Sequence, residues 1–437
     1  MNNIWKPLLL SGLGILAVLQ MMMGQTNAQT PKGLEAYRSR EELFDRIYGA
    51  LVGSAMGDAL GAPVEMWGRE QIRMEYGWIN SMEVVFREAS AEGPWRWNAA
   101  PGGTTDDTRW KNLTIQYLTQ KNKSGFLYSN ALDAKQFAAY IVSQYQQEIK
   151  NLKATEGFEP EPYEDNARRM AWLQEWAVIA QPYAEGNWEA YNDKLHRFYG
   201  GDLACGGMLY APAIGMFYPG DPAGAYDEAY KLALFDLGYA RDITGLTATL
   251  VAAALQADRD STLLWRSIRD IDPKGFFKSR LLGRITYGQY RQALYISHTA
   301  RQMTLEQGRE KGWTPPAGYR GDTLLYYQMQ RAFEMLDEAN QTVPFHAGEI
   351  HLINLTALLF SQLDTRIALE FVTNYGRDND TVGAITGAIL GAYHGFKALP
   401  EDWVQAVLET NKKEMGFDLE ALAQQLTETV WSRKKRP

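Results

Sequence analysis

The chain has 437 residues, more than one small domain needs, which suggests two or three domains or one large all-α or α/β domain. Its 46% hydrophobic and 22% charged content is that of a globular protein, and its net charge of −8 argues against a nucleic-acid partner. Cys205 is the only cysteine, so neither an intramolecular disulfide nor a thiolate metal cluster can form.

Residues 1–28 read as a secretory signal: Lys6, an apolar run, then small polar residues ending at Ala28. An uncleaved signal anchor is the rival reading, because the run is nearly long enough to span a bilayer. Export without disulfides fits a bacterial periplasm or secretion, and no later stretch is apolar enough to cross a membrane. Residues 29–40 are a linker, 41–430 a single domain, and 431–437 a basic tail expected to fray in solvent.

Helical periodicity dominates that domain. It predicts helices over 41–60, 107–120, 134–150, 166–181, 225–238, 243–257, 324–338, 350–361 and 380–396. One strand is expected within 81–86. Gly and Pro clusters mark loops at 93–103, 157–163, 212–224 and 313–322. The class is mostly α, without a repeat of fixed period.

Two helices carry glycines at every fourth position. Gly49, Gly53, Gly57 and Gly61 form one stripe, and Gly383, Gly387 and Gly391 the other. Each costs about 1 kcal/mol against alanine inside a helix, so the pattern needs a reason. Absent side chains let another backbone approach closely. The stripes predict two tightly packed core helices that hold their end loops in fixed positions.

Acidic clusters sit at the ends of these and one other helix. Asp58 lies within the last turns of the first stripe and Glu65 just after it, Thr105, Asp106 and Asp107 begin a helix, and Asp378, Asp380 and Thr381 precede the second stripe. Each alone reads as helix capping. Together they exceed it, since a helix needs one cap and like charges repel unless a cation compensates. Four aspartates and two threonines offer oxygen ligands for hard cations. With five histidines and one cysteine, a zinc site of nitrogen and sulfur is disfavoured. A pair of Mg²⁺ or Mn²⁺ ions bridged by an aspartate is the expected filling.

These segments resemble the signature of the ADP-ribosylglycohydrolase family, which includes the dinitrogenase-reductase-activating glycohydrolases. "GALVGSAMGDALGAPVE" is similar to its opening helix and glutamate loop, and "GGTTDDT" to its Thr-Asp-Asp-Thr motif. "GRDNDTVGAITGAILGAYHG" is similar to its Asp-x-Asp-Thr segment, "GGMLYAPAIGMF" to its central segment, and "LPEDWVQAV" to its Pro-x-x-Trp sequel. The resemblance implies an all-α orthogonal helical bundle with a central cleft holding two Mg²⁺. Thr105, Asp106 and Asp107 would bind metal from one side, and Asp378, Asp380 and Thr381 from the other. Glu65 would sit on a mobile loop over the site. The reaction implied is cleavage of the glycosidic bond at the ribose of an ADP-ribose conjugate. A carboxylate activates the water, Glu65 and Asp107 being the candidates. Gly206, Gly207 and Met208 would contact substrate.

The chain departs from the family pattern in places. Arg377 replaces the second glycine of the pair before Asp-x-Asp-Thr. Leu209 replaces the arginine of the central segment, and a Ser/Thr-His has no counterpart in "LGYARDITG". The metal set looks intact and the substrate wall changed, with the aromatic stretches 93–103 and 312–327 as candidate wall. His346, His351 and His394 read as structural, Cys205 as a buried small residue. Asp58 reads either as helix packing or as a hydrogen-bond support for the metal ligands. Alternatives to the ADP-ribosyl reading are a nucleoside-type N-ribosyl hydrolase and a non-catalytic ADP-ribose-binding protein on the same scaffold. Neither a nucleic-acid nor a membrane partner is expected once the signal is removed, and oligomeric state is not specified.

Overall fold

A computed structural model describes residues 33–86, 98–123, 132–155 and 160–434, without the side chains of 121–123, 155 and 160–171. The signal reading of 1–28 therefore lies outside the described residues, as do Trp95 and Trp97. Eighteen α-helices occur among the described residues. The first nine are α1 (Arg40–Gly61), α2 (Arg69–Tyr76), α3 (Asp106–Lys123), α4 (Ala134–Thr155), α5 (Pro160–Glu185), α6 (Trp188–Phe198), α7 (Ala211–Phe217), α8 (Pro222–Leu232) and α9 (Ala240–Ala254). The rest are α10 (Ser261–Asp270), α11 (Ile285–Arg301), α12 (Leu305–Glu310), α13 (Thr323–Asp337), α14 (Ala347–Ser361), α15 (Thr365–Tyr375), α16 (Asn379–His394), α17 (Glu401–Thr410) and α18 (Leu419–Lys434). The only ladder among the described residues is β1 (Val85–Phe86) antiparallel to β2 (Asn98–Ala99), so the expected strand shrinks to two residues. No described helix is long and apolar enough to cross a membrane.

The centre of the fold is the antiparallel pair α1 and α16. Ser39 starts α1 by accepting a hydrogen bond from the Glu42 backbone N–H at 3.1 Å. From Leu43 inward almost every α1 residue is buried, as is nearly all of α16, so neither helix has a polar face. The glycine stripes meet each other. A Cβ on Gly53 would lie 2.3 Å from the Gly387 carbonyl oxygen, and one on Gly57 1.9 Å from that of Gly383. The two backbones touch directly, which is why alanine, the better helix former, is absent there.

The loop expected at 212–224 holds most of helix α7. Pro212 sits in that helix's first turn and Pro222 in the first turn of α8, positions where proline's missing N–H costs nothing. The helix expected over 225–238 stops at Leu232, where Ala233 leaves helical geometry. The basic tail does not fray through Lys434: α18 runs to that residue and buries Arg433, whose guanidinium lies 4.1 Å from the Phe217 ring centroid and donates to the Phe217 carbonyl.

Candidate functional site

The C-terminal end of α1 delivers Glu65. After Gly61 the chain makes a short 3-10 turn, Ala62–Val64, with Pro63 in its first turn. A Cβ at Gly61 would lie 2.4 Å from the Asp380 Cα, so the glycine brings the Glu65 turn against the start of α16. The segment after Glu65 is stitched down. Met66 N–H donates to the Arg377 carbonyl at 2.7 Å, and Arg377 N–H to the Trp67 carbonyl at 2.8 Å. Met66 and Arg377 both adopt positive φ, 65° and 68°, to make these bonds. Arg377 then grips Glu349 through Nε and Nη2, at 2.6 and 2.9 Å. The segment after Glu65, expected to be mobile, makes these backbone bonds to the residue before Asp378. Carboxylate oxygens of Glu65, Asp378 and Asp380 lie within 4.8 Å of one another.

The second acidic cluster begins α3. Its cap is Thr105, whose Oγ1 accepts from the Asp107 backbone N–H at 3.3 Å. Neither aspartate caps the helix. Asp58 is buried beneath this turn and accepts from the Thr105 N–H (2.9 Å), the Thr108 N–H (3.0 Å) and the Thr108 hydroxyl (2.6 Å). Its role is therefore to hold the Thr105–Thr108 turn. Burial, with Asp380 adding to it, raises the Asp58 carboxyl above the usual carboxylate range.

Asp106 and Asp107 part ways. Asp106 lines a cavity of about 240 Å³ together with Glu65, Asp378, Asp380 and Thr381. Asp107 points away from it into the core, 1% exposed. Its Oδ1 faces Lys111 Nζ at 3.1 Å, and its Oδ2 accepts from the Thr381 hydroxyl at 2.9 Å. Burial raises the Asp107 carboxyl, and Lys111 opposes that shift. Asp107, expected as a candidate for acid–base work, is thus not among the cavity-lining residues, and both its oxygens are engaged by Lys111 and Thr381. Thr105 is likewise turned into its cap and is not among the cavity-lining residues.

The opposite wall is aromatic: Trp172, Trp176, Phe198, Tyr199 and Phe345, with Glu175, Cys205 and Leu209 beside them. Gly206 makes room for it, since a Cβ there would lie 3.2 Å from the Trp176 ring and from the Tyr199 hydroxyl. The segment expected to touch substrate through Gly206, Gly207 and Met208 reaches the cavity through Cys205 and Leu209 instead. Gly207 N–H is spent on Asp236, at 2.6 Å, whose carboxyl burial pushes up to about 6. Cys205 is more than filler: its Sγ lies 3.8 Å from Asp378 Oδ2. The described part of the expected wall does not line the cavity. Tyr319 and Tyr326 of 312–327 pack on Trp78.

The real wall was missed because its members come from three separated segments. The available signal was the spacing of Trp172 and Trp176, four residues apart with Glu175 between them on a helix. The histidines are structural. His346 Nδ1 accepts from the Gly348 N–H at 3.1 Å and caps α14, His394 Nε2 bonds the Leu363 carbonyl at 2.7 Å, and His351 is fully buried.

The donor set fits a hard divalent cation. All candidate ligands are carboxylate or hydroxyl oxygens, and three carboxylates approach one another as closely as a shared ion requires. Opposed ligands around Mg²⁺ or Ca²⁺ stand about 4–5 Å apart. Burial of like charges in this arrangement needs such compensation.

Comparisons with known proteins bear on the family and the fold. The profile of the family described as ADP-ribosylglycohydrolase matches residues 39–436. An uncharacterized protein YegU of Escherichia coli (strain K12) is 50% identical over 364 residues, covering 81% of this chain and 89% of that protein. A solved structure described as an ADP-ribosylglycohydrolase-related protein complex superposes with a TM-score of 0.50, at 21% identity, over 89% of this chain and 99% of that one. This last likeness speaks for the fold alone.

Proposed function

The chain belongs to the ADP-ribosylglycohydrolase family, whose membership supports a glycohydrolase of ADP-ribosyl-type substrates, and from that premise we propose that it is a divalent-metal-dependent hydrolase of the ribosyl glycosidic bond. The observation that carries this reading is the convergence of Glu65, Asp106, Asp378, Asp380 and Thr381 on one wall of a cavity whose other wall is aromatic. Glu65, Asp378 and Asp380 would hold the metal, with Asp106 and Thr381 at its edge. A bound Mg²⁺ or Mn²⁺ supplies Lewis acidity toward ribose hydroxyls and water.

The chain's own groups do the rest. Glu65 takes a proton from water as the water oxygen bonds to the anomeric carbon. The bond to the aglycone breaks, the aglycone leaves with the electron pair and takes up a proton, and one water is consumed per bond. Trp172, Trp176 and Tyr199 offer flat faces for a base or aglycone and exclude bulk water. The 1–28 segment supports export as the setting for this activity, and N-terminal sequencing of the mature protein tests it.

A second reading, an N-ribosyl hydrolase of nucleoside-type substrates, draws on the cavity itself. Its volume of about 240 Å³ is small, and its described lining includes five carboxylates but no Lys, Arg or His to meet a diphosphate. The test is release of ribose or ADP-ribose from protein-linked ADP-ribose, free ADP-ribosyl compounds and nucleosides, with and without Mg²⁺. Turnover of none of them by metal-loaded protein rejects both enzyme readings and leaves a binding protein.

A further inference from the structure

The acidic centre is expected to hold a pair of divalent ions, with Thr105, Asp106 and Asp107 as the ligands on one side. In this chain Asp107 already has a cation. Lys111 follows it by four residues, so the two side chains share one face of α3. Lys111 is 0% exposed. Its Nζ stands 3.1 Å from Asp107 Oδ1 and donates to the Asp107 carbonyl oxygen at 3.0 Å. The remaining oxygen, Oδ2, accepts from the Thr381 hydroxyl at 2.9 Å.

A buried ammonium is retained only where it is paired, and this one is paired with the carboxylate that a second metal would use. Asp58, Asp106 and Asp380 all add negative potential at Asp107, and the lysine opposes it. An ion placed beside Asp107 would have to displace the fully buried Lys111, then remain within the field of its positive charge in a low-dielectric interior. The other half of the centre differs. Glu65, Asp378 and Asp380 line the cavity and bring carboxylate oxygens within 4.8 Å of each other.

We infer that this protein carries one divalent ion per chain, on Glu65, Asp378 and Asp380, and that the Lys111 ammonium takes the place of a second ion at Asp107. This inference rests on the metal-dependent reading above but concerns stoichiometry. The same argument assigns Thr381 a bridging role, since its hydroxyl ties the Asp107 half of the centre to the helix that carries Asp378 and Asp380.

The test is a titration of chelator-stripped full-length protein with Mn²⁺ alone, followed by calorimetry and electron paramagnetic resonance. The wild type is expected to bind one Mn²⁺ with the spectrum of an isolated ion. Lys111→Met removes the charge at similar volume, and is expected to bind a second Mn²⁺ and show the exchange-coupled signal of an ion pair. Two coupled ions in the wild type overturn the inference and leave the proposed function standing. A single ion in both proteins overturns the role given to Lys111. No bound Mn²⁺ in either overturns the metal reading together with this inference. The wild-type stoichiometry decides the number of ions by itself, and Lys111→Gln takes the place of Lys111→Met for the role of the lysine if the latter does not fold.

Discussion

The starts of α3 and α16 share one sequence grammar, a threonine beside two closely spaced aspartates, yet the structure uses them differently. At α16 both carboxylates, Asp378 and Asp380, face the cavity, and their helix is held from behind by direct backbone contact with α1. At α3 only Asp106 faces the cavity, while Asp107 turns inward to Lys111 and Thr381. One cluster faces the cavity with both carboxylates, and the other divides between the cavity and an internal ion pair. Paired acids at a helix start therefore say little about function until the nearest cations are known.

The comparison breaks most sharply on activity. Asp380→Ala is expected to abolish metal binding and lower kcat/KM by at least about 10⁴-fold, over 5 kcal/mol of barrier. Calorimetry with Mn²⁺ and a ribosyl-release assay check it, and retained metal with full turnover would show that α16 is not the ligand-bearing side. Asp107→Asn should act on the fold instead. It leaves Lys111 buried without its counter-charge, at a cost of about 3–5 kcal/mol in denaturant unfolding of the metal-free protein. A negligible stability change would mean that Lys111 finds another partner and that the asymmetry between the two clusters is not structural.

The pH response of the core must be separated from that of the acidic centre, and His351 permits this. It is fully buried, with no hydrogen-bond partner at either ring nitrogen among the described residues, and burial pushes its pKa down to about 4, with Asp242 and Arg284 acting in opposite directions. The unfolded chain therefore takes up a proton near pH 6.5 that the folded chain refuses until about pH 4. Its contribution is full above pH 6.5 and is lost as pH falls toward 4, about 3 kcal/mol in all. His351→Phe should gain that much on the wild type between pH 7 and pH 4 in paired denaturant melts, and parallel curves would refute the assignment.

The smallest expected effect concerns how the halves are held together. Gly57→Ala places a Cβ about 1.9 Å from the Gly383 carbonyl oxygen. The resulting helix displacement should cost about 2 kcal/mol and weaken Mn²⁺ affinity, because it moves Glu65 relative to Asp380. Loss of stability with unchanged affinity would separate the stripe from the positioning of Glu65.

Much of this was readable along the chain. Burial periodicity located α1, α3, α9, α13 and α16 to within a few residues, since a helix repeats its buried face locally. The glycine stripes announced backbone contact because nothing else justifies their helical cost, and the paired acids marked the segments of which Glu65, Asp106, Asp378 and Asp380 line one cavity. Tertiary packing decided the rest. It chose which aspartate of the Thr105–Asp107 turn faces the cavity, brought Thr381 to the one that Lys111 already neighbours along α3, and assembled an aromatic wall from α5, the Phe198–Tyr199 segment and Phe345. The physical reason is one of range: propensity and periodicity act over a few neighbouring residues. The direction a buried carboxylate turns is set by charges and donors that only the folded chain brings within hydrogen-bond distance.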